Sequence, residues 1–322
     1  MRVSQAHIAG IAIARVDDGT LHDPALAASA RAMLDAGITY TNIDQSIVSF
    51  QDDSRIPATC LHAFGMEGAP IAEVDNKSVL FTAVQSIKSR QSNCALVLGL
   101  DSNLVVGIVL VSDLFLTSHA YLKDSAICIR GYSLVYPVHS RSLGGTDPSR
   151  TARTAVSSAL RQAQLRSTDV QLLHLPRDLR ESNPRALSGF DAATSELSRS
   201  LGSEQGTAGF AVLATLVWQF RGWAGDLPHI AHNCLLYTLS PSGAVSVIIL
   251  GRSDGRAALK WEEVQNVRDG RERLGYNPAV ETREICVEDL EAVRARDEFV
   301  PTAQKAIQLP VKGGDRAALA RL

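Results

Sequence analysis

The stretch HIAGIAIA, residues His7–Ala14, decides the class of fold that this sequence adopts. Its unbroken apolar character is typical of a strand that is buried on both faces of a sheet. The next segment, Pro24–Ala36, places apolar side chains at helical spacing and ends at Gly37. Because a buried strand that leads into an amphipathic helix is how a parallel crossover unit begins, the sequence predicts an α/β protein.

The same alternation of strands and helices continues along the chain and then starts again. Two rounds with a similar order of elements predict a duplicated α/β unit. We therefore divide the chain into an N-terminal half, 1–122, a C-terminal half, 123–252, and a charged extension, 253–322, which we interpret as a surface addition. The predicted strands are Ile43–Phe50, Pro70–Val74, Cys94–Leu100, Ala126–Arg130, Val170–Leu175, Cys234–Leu239 and Ala244–Leu250, and the predicted helices are Pro57–Phe64, Ser78–Ser89, Ser149–Gln164, Gly206–Arg221 and Val287–Arg296.

Composition excludes several classes of protein. A net charge of −2 over 322 residues, without a basic run, argues against nucleic-acid binding. The most apolar stretch, Cys94–Leu116, is interrupted by Asp101 and Asp113, so we expect no membrane span. The five cysteines never form a CxxC pair, which fits a reducing compartment, and the histidines before Cys234 lack the spacing of a zinc site, so we expect no metal.

The last three residues resemble a targeting signal. Ala320-Arg321-Leu322 is a variant of the Ser-Lys-Leu signal that directs proteins to peroxisomes, although a chance tripeptide is the alternative. The sequence therefore predicts a peroxisomal or a cytoplasmic protein.

Three blocks of the sequence are distinctive when they are taken together. They are Asp35–Ile38 with Ile43–Gln45 and Leu61–Ile71, then Ile127–Val135, then Trp218–Gly225 with Ser242–Val245. These blocks resemble the thiolases of the sterol carrier protein X type, and the resemblance covers roughly residues 7–250, with gaps. It implies a thiolase fold, in which two similar βαβ-rich halves form a five-layer αβαβα arrangement that is usually dimeric.

Such enzymes make or break carbon–carbon bonds in acyl-CoA substrates, with a cysteine nucleophile, histidines that move protons, and backbone donors for an oxyanion. The corresponding stretch here, Val74–Phe81, contains no cysteine, and Ser78 stands at the start of the helix. A serine needs an adjacent base to become a nucleophile, and helix capping is the alternative role for Ser78.

The family's histidines are also missing from their expected positions. Pro176 stands where the first is expected, and His174 lies two residues before it, as either a displaced catalytic group or a structural histidine. Ser203 replaces the histidine of the Gly-His-Pro motif, and Glu204 beside it is either a general base or a solvated carboxylate at a helix start.

Tyr237 occupies the position of the last motif, a His-Asn pair, while His232-Asn233 lies five residues earlier. Some proteins of this branch act as aldol lyases that use tyrosines. A tyrosine at this position can exchange a proton with a hydroxyl or an enolate oxygen, and a buried strand tyrosine with one hydrogen bond is the alternative.

These substitutions leave three hypotheses. The first is an enzyme for cysteine-independent carbon–carbon chemistry, an aldol-type lyase or a cyclase of lipid or secondary metabolism. It would act on an acyl or polyketide-like substrate through Tyr237, Ser203 and His174; we expect no cofactor, with a CoA thioester as a possible substrate. The second is a non-catalytic subunit that forms a homodimer, or a heterodimer with a thiolase-like partner. In the third, the gene sequence is damaged: splicing errors would explain both the short nucleophile loop within Val74–Phe81 and the stretch Asp101–Asp124, which replaces the family's acyl-CoA loop with an apolar run.

Overall fold

The structure is a computed structural model. It describes residues 4–16, 21–51, 54–65, 69–101, 103–137, 148–174, 209–224, 231–240, 242–260, 263–264, 274–279, 281 and 283–300.

The predicted elements of the N-terminal half appear in the predicted order, and two strands that were not predicted, Ser54–Arg55 and Leu104–Ser112, are added to them. Its long helices begin and end within two residues of the predicted bounds, and the predicted helix Pro57–Phe64 is a 3-10 helix, Ala58–Ala63. The strands are β1 Ala6–Arg15, β2 Gln45–Gln51, β3 Ser54–Arg55, β4 Ile71–Asp75, β5 Cys94–Asp101 and β6 Leu104–Ser112, and the helices are α1 His22–Ala36 and α2 Val79–Lys88.

The C-terminal half repeats the pattern after a short link. The link contains helix α3, Asp113–Ser118, and the extension contributes helix α6, Val287–Val293. The strands of this half are β7 Ile127–Val135, β8 Leu172–His174, β9 Cys234–Leu239 and β10 Val245–Arg252, and its helices are α4 Pro148–Ala163 and α5 Phe210–Phe220.

The order of the strands confirms the duplication. In the N-terminal half the sheet runs β4-β2-β5-β6-β1, and in the C-terminal half it runs β8-β9-β10-β7. In both halves the first strand lies beside the last, with which it pairs antiparallel. The two half-sheets join where β1 and β7 pair antiparallel, over the residue pairs Ala6–Ile129, His7–Cys128 and Ile8–Ile127.

One helix of each half covers an outer face of its half-sheet. The backbone of α1 lies directly over Gly10 of β1 and Gly107 of β6. The backbone of α4 lies in the same way over Gly131 of β7. A helix can approach a strand this closely only where the strand has no side chain, so these glycines set the spacing of the outer layers.

The other two helices lie between the half-sheets. Phe210 of α5 packs on Gly99 of β5, while Gly209, just before the helix, lies against Thr238 of β9. Phe81 of α2 contacts the ring of Tyr132 of β7, with 5.5 Å between ring centroids. The sequence of layers is therefore α1, N-terminal sheet, α2 with α5, C-terminal sheet and α4, which confirms the five-layer αβαβα arrangement.

The structure corrects two predictions about the rest of the chain. The apolar run within Asp101–Asp124, interpreted as a replacement of the family's acyl-CoA loop, forms β6, which is buried between β1 and β5 and belongs to the core. The extension is also more than a surface addition, because Ala292 and Val293 of α6 are buried in the main core. The boundary between the halves, at 122/123, stays a prediction. Among the described residues no helix is long and apolar enough to cross a membrane.

Candidate functional site

The two inner helices begin at the same edge of the sheet. The turn between β4 and α2 is anchored by Asn76, whose buried side chain donates to the carbonyl of Leu100 at 2.7 Å and accepts from its N–H at 2.9 Å. Asp101, which follows Leu100, accepts a hydrogen bond of 2.8 Å from the N–H of Ala211 in the first turn of α5. The end of β5 therefore holds both helix N-termini, where unpaired N–H groups favour negative charge.

Ser78 occupies the N-cap position of α2, but its side chain does not cap the helix. Its Oγ is instead 3.1 Å from the hydroxyl oxygen of Tyr136, a residue whose exposed fraction is 50%. The expectation that Ser78 acts as a helix cap is therefore wrong for its side chain. The first turn of α2 keeps its backbone donors, and two hydroxyls lie beside them.

Further hydroxyls continue from this pair along the inner face of the C-terminal sheet. Tyr132 of β7 is buried on this face, and burial raises its pKa to about 12, although the side chain of Ser246 on β10 opposes the shift. Thr238 of β9 is the cross-strand partner of Ser246 and touches the start of α5. We call this set, Ser78, Tyr136, Tyr132, Ser246 and Thr238, the hydroxyl row.

The cysteines offer no replacement for a thiolase nucleophile at this edge. Cys94 begins β5, at the opposite end of the strand from Leu100. Burial raises the pKa of Cys60 to about 12, and it also raises the pKa of Cys94 and of Cys234 well above the ordinary value of a thiol. These three thiols are therefore protonated at neutral pH, and the thiolate is the nucleophilic form of cysteine.

Tyr237 lies on the other side of the C-terminal sheet from the hydroxyl row. It is 2% exposed and belongs to the apolar cluster under α4, with Leu235, Val247 and Ala159. Burial raises its pKa to about 12, so the hydroxyl is a proton donor and not a base at neutral pH. This is the environment of a buried strand tyrosine, and a catalytic role for Tyr237 stays a prediction.

His174 faces the inner side. It pairs with Leu236 across β8 and β9, and Leu236 belongs to the main core, while the preceding residue Leu173 belongs to the cluster under α4. Successive side chains of a strand point to opposite faces, so His174 and Tyr237 lie on opposite faces of the C-terminal sheet. They therefore cannot both line a pocket on one face. Ser203 and Glu204 lie outside the described residues.

The alternative pair His232-Asn233 has a structural role. The side chain of Asn233 donates to the carbonyl of Asp169 at 2.8 Å, and its N–H donates to Gln171 at 3.0 Å. His232 is exposed and its Nδ1 lies 3.3 Å from the carbonyl oxygen of Gly255. These hydrogen bonds of Asn233 connect the start of β9 to the segment that precedes β8.

A second polar cluster lies at the opposite end of the sheet. His7 of β1 is 5% exposed; its Nδ1 is 2.7 Å from Ser253 Oγ and its Nε2 is 2.9 Å from Asp113 Oδ1. Burial alone would lower the pKa of His7, but the hydrogen bond to Asp113, together with the influence of the neighbouring Cys128, outweighs it and raises the pKa to about 9. His7 is therefore a cation at neutral pH.

The stability of the protein should depend on the charge of His7. Because its folded pKa is about 9 against 6.5 for the free group, the stabilisation is complete below pH 6.5 and is lost as the pH rises through 9. Allowing for the exposure of Asp113, we expect the free energy of unfolding to fall by about 1–3 kcal/mol over this range. Urea unfolding at several pH values measures it. A His7→Gln variant with the same pH dependence as the wild type would contradict the assignment.

Of the residues in these two clusters, only Ser78 was a candidate from the sequence. Tyr132 lies inside the block Ile127–Val135, where it served only as a marker of the fold. Tyr136 follows that block directly and carries no motif. The contacts of His7 span 106 and 246 residues along the chain, so no local spacing connects them.

No protein-family profile matches this chain. A search of curated proteins finds no match either.

Solved structures, in contrast, match most of the chain. A serine-for-cysteine variant of Xanthomonas campestris OleA, with bound lauric acid and lauroyl-CoA, aligns with a TM-score of 0.57 and 13% identity over 78% of this chain and 100% of its own. Human mitochondrial 3-ketoacyl-CoA thiolase aligns with a TM-score of 0.55 and 10% identity over 78% and 98%. An oxazolomycin ketosynthase domain from Streptomyces albus JA3453 gives 0.56 and 13% over 80% and 98%. At these identities the likeness concerns the fold alone, and together with the strand order and the five layers it shows that this chain has the thiolase fold.

Proposed function

We propose that this protein carries out cysteine-independent carbon–carbon chemistry on an acyl or polyketide-like substrate, as an aldol-type lyase or a cyclase. The observation that carries the proposal is the pair of hydroxyls, Ser78 and Tyr136, at the N-terminus of α2. This is the place where the family resemblance puts a nucleophilic cysteine; strand β4 and helix α2 are present there, but the thiol is absent.

The hydroxyl row suits a reaction through an enolate. In an aldol cleavage the β-hydroxyl of the substrate loses its proton, the carbon–carbon bond breaks, and the electron pair moves onto a carbonyl oxygen that becomes an enolate. Ser78, Tyr136 and the backbone donors of the first turn of α2 would donate to that oxygen. Protonation of the enolate carbon completes the reaction. The reverse reaction between two parts of the same substrate molecule forms a carbon–carbon bond and closes a ring, which is the reaction of a cyclase.

The proton acceptor for the β-hydroxyl is the second part of the proposal. His174 is our candidate, because it lies on the inner face of the C-terminal sheet, as Thr238 and Ser246 do. Ser203 precedes α5 in the chain and remains a candidate through its position alone. Tyr237 remains the alternative that the sequence motif favoured, although its place in the apolar cluster under α4 separates it from the row.

The solved structures suggest which ligands to try first. OleA was solved with lauric acid and lauroyl-CoA, so long acyl chains and their CoA thioesters are reasonable probes for this site. A CoA thioester as substrate and an assignment to lipid or secondary metabolism are parts of this proposal. The peroxisomal or cytoplasmic location also stays a proposal, because Ala320-Arg321-Leu322 lies outside the described residues.

A non-catalytic role as a subunit is the second candidate. Strand β4 pairs only with β2 among the described residues, and most of its side chains are half-buried, so its outer edge is open to a further strand. Tyr136, beside Ser78, and Leu239, the last residue of β9, are both exposed. A second copy of this chain or a thiolase-like partner would cover these groups, and a function in the dimer would then need no chemistry from this subunit.

Thermal unfolding with ligands tests the proposed site. We expect lauroyl-CoA or a β-hydroxyacyl-CoA to raise the unfolding midpoint, by roughly 5 °C at a hundred times the dissociation constant, because ligand bound to the folded state stabilises it. Tyr136→Phe and Ser78→Ala should abolish the rise. Tyr237→Phe is the matched control, since it removes one tyrosine hydroxyl on the outer side and should leave the rise unchanged.

The possible outcomes separate the candidates. Loss of the rise in Tyr237→Phe, with Tyr136→Phe unaffected, would place the site where the sequence motif predicted it and overturn the hydroxyl row. No rise with any acyl ligand, combined with a dimeric mass in solution, would favour the subunit role. Where the rise is present, incubation with the β-hydroxyacyl-CoA should release a shorter acyl-CoA and an aldehyde or ketone.

A further inference from the structure

The first turn of α2 is a buried helix start whose N-cap side chain does not cap it. Val79 and Leu80 are buried, and the side chain of Ser78 bonds to Tyr136 instead of to the helix. The N–H groups of a first turn have no partner within the helix, so a buried helix start needs a partner from outside. The first turn of α2 therefore presents hydrogen-bond donors in the interior of the protein.

Ser49 of β2 lies level with this turn. At the other end of α2, Ser86 donates to Gln45 of β2 at 2.8 Å, which fixes the helix against the strand. Ser49 is four residues further along β2 on the same face, about 13 Å from Gln45. Ser78 is eight residues back along α2, about 12 Å from Ser86. Because α2 connects the parallel strands β4 and β5 and so runs antiparallel to them and to β2, Ser49 lies beneath the start of the helix.

The hydroxyl of Ser49 is buried and takes no part in the fold's hydrogen bonds. The residue is 1% exposed, and among the described residues no group forms a hydrogen bond with its Oγ. Its cross-strand neighbour on β4 is Val74, whose side chain is apolar. A buried hydroxyl without a partner costs free energy. Its position under the first turn of α2 indicates a polar ligand that bonds to both.

The charges around this turn favour an anion. The positive end of the helix dipole attracts negative charge, and Lys77, which is half-buried and directly precedes Ser78, adds a second positive charge. Asp75 follows Val74 on β4, so its carboxylate leaves the opposite face of the sheet. The carboxylate of Asp101 is bonded to the first turn of α5.

We propose that the start of α2 binds the carboxylate of a free acyl or polyketide acid. One carboxylate oxygen accepts from the N–H groups of the first turn and the other from Ser49, with Lys77 as the counter-charge. The inference rests on the proposed function for the acyl nature of the ligand and deepens it by naming the preferred form of that ligand. The acid should bind more tightly than its CoA thioester, because the thioester carbonyl carries no charge.

Calorimetric titration of the full-length protein near pH 7 tests this preference, with octanoate, 1-octanol, octanoyl-CoA and free CoA as the probes. We expect octanoate to bind about tenfold or more tightly than 1-octanol and octanoyl-CoA, since hydrogen bonds to a charged acceptor are the stronger ones. Octanoyl-CoA that binds as tightly as octanoate would overturn the inference. Free CoA that does so would assign the anion site to a phosphate and overturn the carboxylate.

Two variants connect the preference to the named residues. Ser49→Ala and Lys77→Gln should each weaken the binding of octanoate by about fivefold or more and leave any binding of 1-octanol unchanged. Lys88→Gln is the matched control, because Lys88 is the last residue of α2, about 15 Å from its start, and should not affect octanoate.

The unfolding midpoint of Ser49→Ala without ligand gives a separate readout. It should equal or exceed that of the wild type, because the variant removes a buried hydroxyl that has no partner. A lower midpoint would show that the hydroxyl has a structural role, and it would count against the inference.

The inference and the proposed reaction can fail separately. Octanoate binding that depends on Ser49 and Lys77, without cleavage of a β-hydroxy acid or of its CoA thioester, would support the carboxylate site and remove the reaction. Cleavage by a protein whose octanoate binding is the same in the wild type and in both variants would support the reaction and overturn the carboxylate site.

Discussion

Replacement of Arg221 with leucine should lower the free energy of unfolding by about 3–5 kcal/mol, because it leaves a buried carboxylate without its counter-charge. Arg221, just after α5, donates to Asp35 of α1 at 2.7 Å, and both side chains are 1% exposed. It also donates to the carbonyls of Ala9 and Ser125 at 2.9 and 2.8 Å. Asp35 accepts in turn from the N–H of Ile11.

This ion pair lies where β1 parts from β7. Pairing between the two strands ends at Ile8, and the register between β1 and β6 shifts at Ala9. Arg221 and Asp35 therefore satisfy backbone groups of β1 that the sheet does not pair, and they connect an inner helix to an outer one. Loss of either side chain should therefore destabilise the packing between all five layers.

Urea unfolding of Arg221→Leu against the wild type measures the effect. Arg55→Leu is the matched control, since its ion pair with Glu73 is exposed and should contribute at most about 1 kcal/mol. The double variant Arg221→Leu with Asp35→Leu should recover part of the loss, because no buried charge remains. A loss below about 1 kcal/mol in the single variant is incompatible with the buried pair.

The substitution Gly10→Ala is expected to have the next largest effect, a loss of about 3 kcal/mol or more. A Cβ at this position would press against the carbonyl oxygen of Ala32 and lie 2.9 Å from the backbone nitrogen of Ala36. Both contacts are with the backbone of α1, which cannot turn away as a side chain can. The helix would have to move off the sheet, and the core beneath it would lose its close packing.

Gly65→Ala gives the comparison for this prediction. There an added Cβ would press only on the methyl group of Ala295, at 3.0 Å, so a small shift relieves the contact and we expect a clearly smaller loss. Chemical denaturation of both variants measures the two effects. Equal losses at Gly10 and Gly65 would show that the spacing of α1 is not set by the glycine.

Local patterns account for most of the secondary structure. The helical periodicity after the first strand predicts Pro24–Ala36, and the helix is His22–Ala36; the last strand pair is placed to within two residues. These elements depend on the burial of one face over a few turns, which neighbouring residues specify. The sequence did not identify the run Leu104–Val111 as a strand, because apolar character alone does not distinguish a central strand from a replaced loop.

The sites depend on contacts that no local pattern contains. The alternation of a strand shows that His174 and Tyr237 belong to specific faces, but a shift of one residue in pairing would exchange those faces. Only the pairing of β9 with β8 and β10 puts Tyr237 under α4 and His174 on the inner side. The same holds for Ser78 and Tyr136, which are 58 residues apart.

The sequence by itself determined the α/β class, the duplication, the order of the elements that it predicted and the absence of a cysteine at the start of α2, because each follows from residue types and their spacing over short stretches. The tertiary structure alone decided the rest: the closure of two half-sheets through three residue pairs at β1 and β7, the meeting of two helix N-termini at the end of β5, and the pairing of His7 with Cys128. These features join distant parts of the chain, and their free energy comes from burial and hydrogen bonds that exist only once the layers have packed.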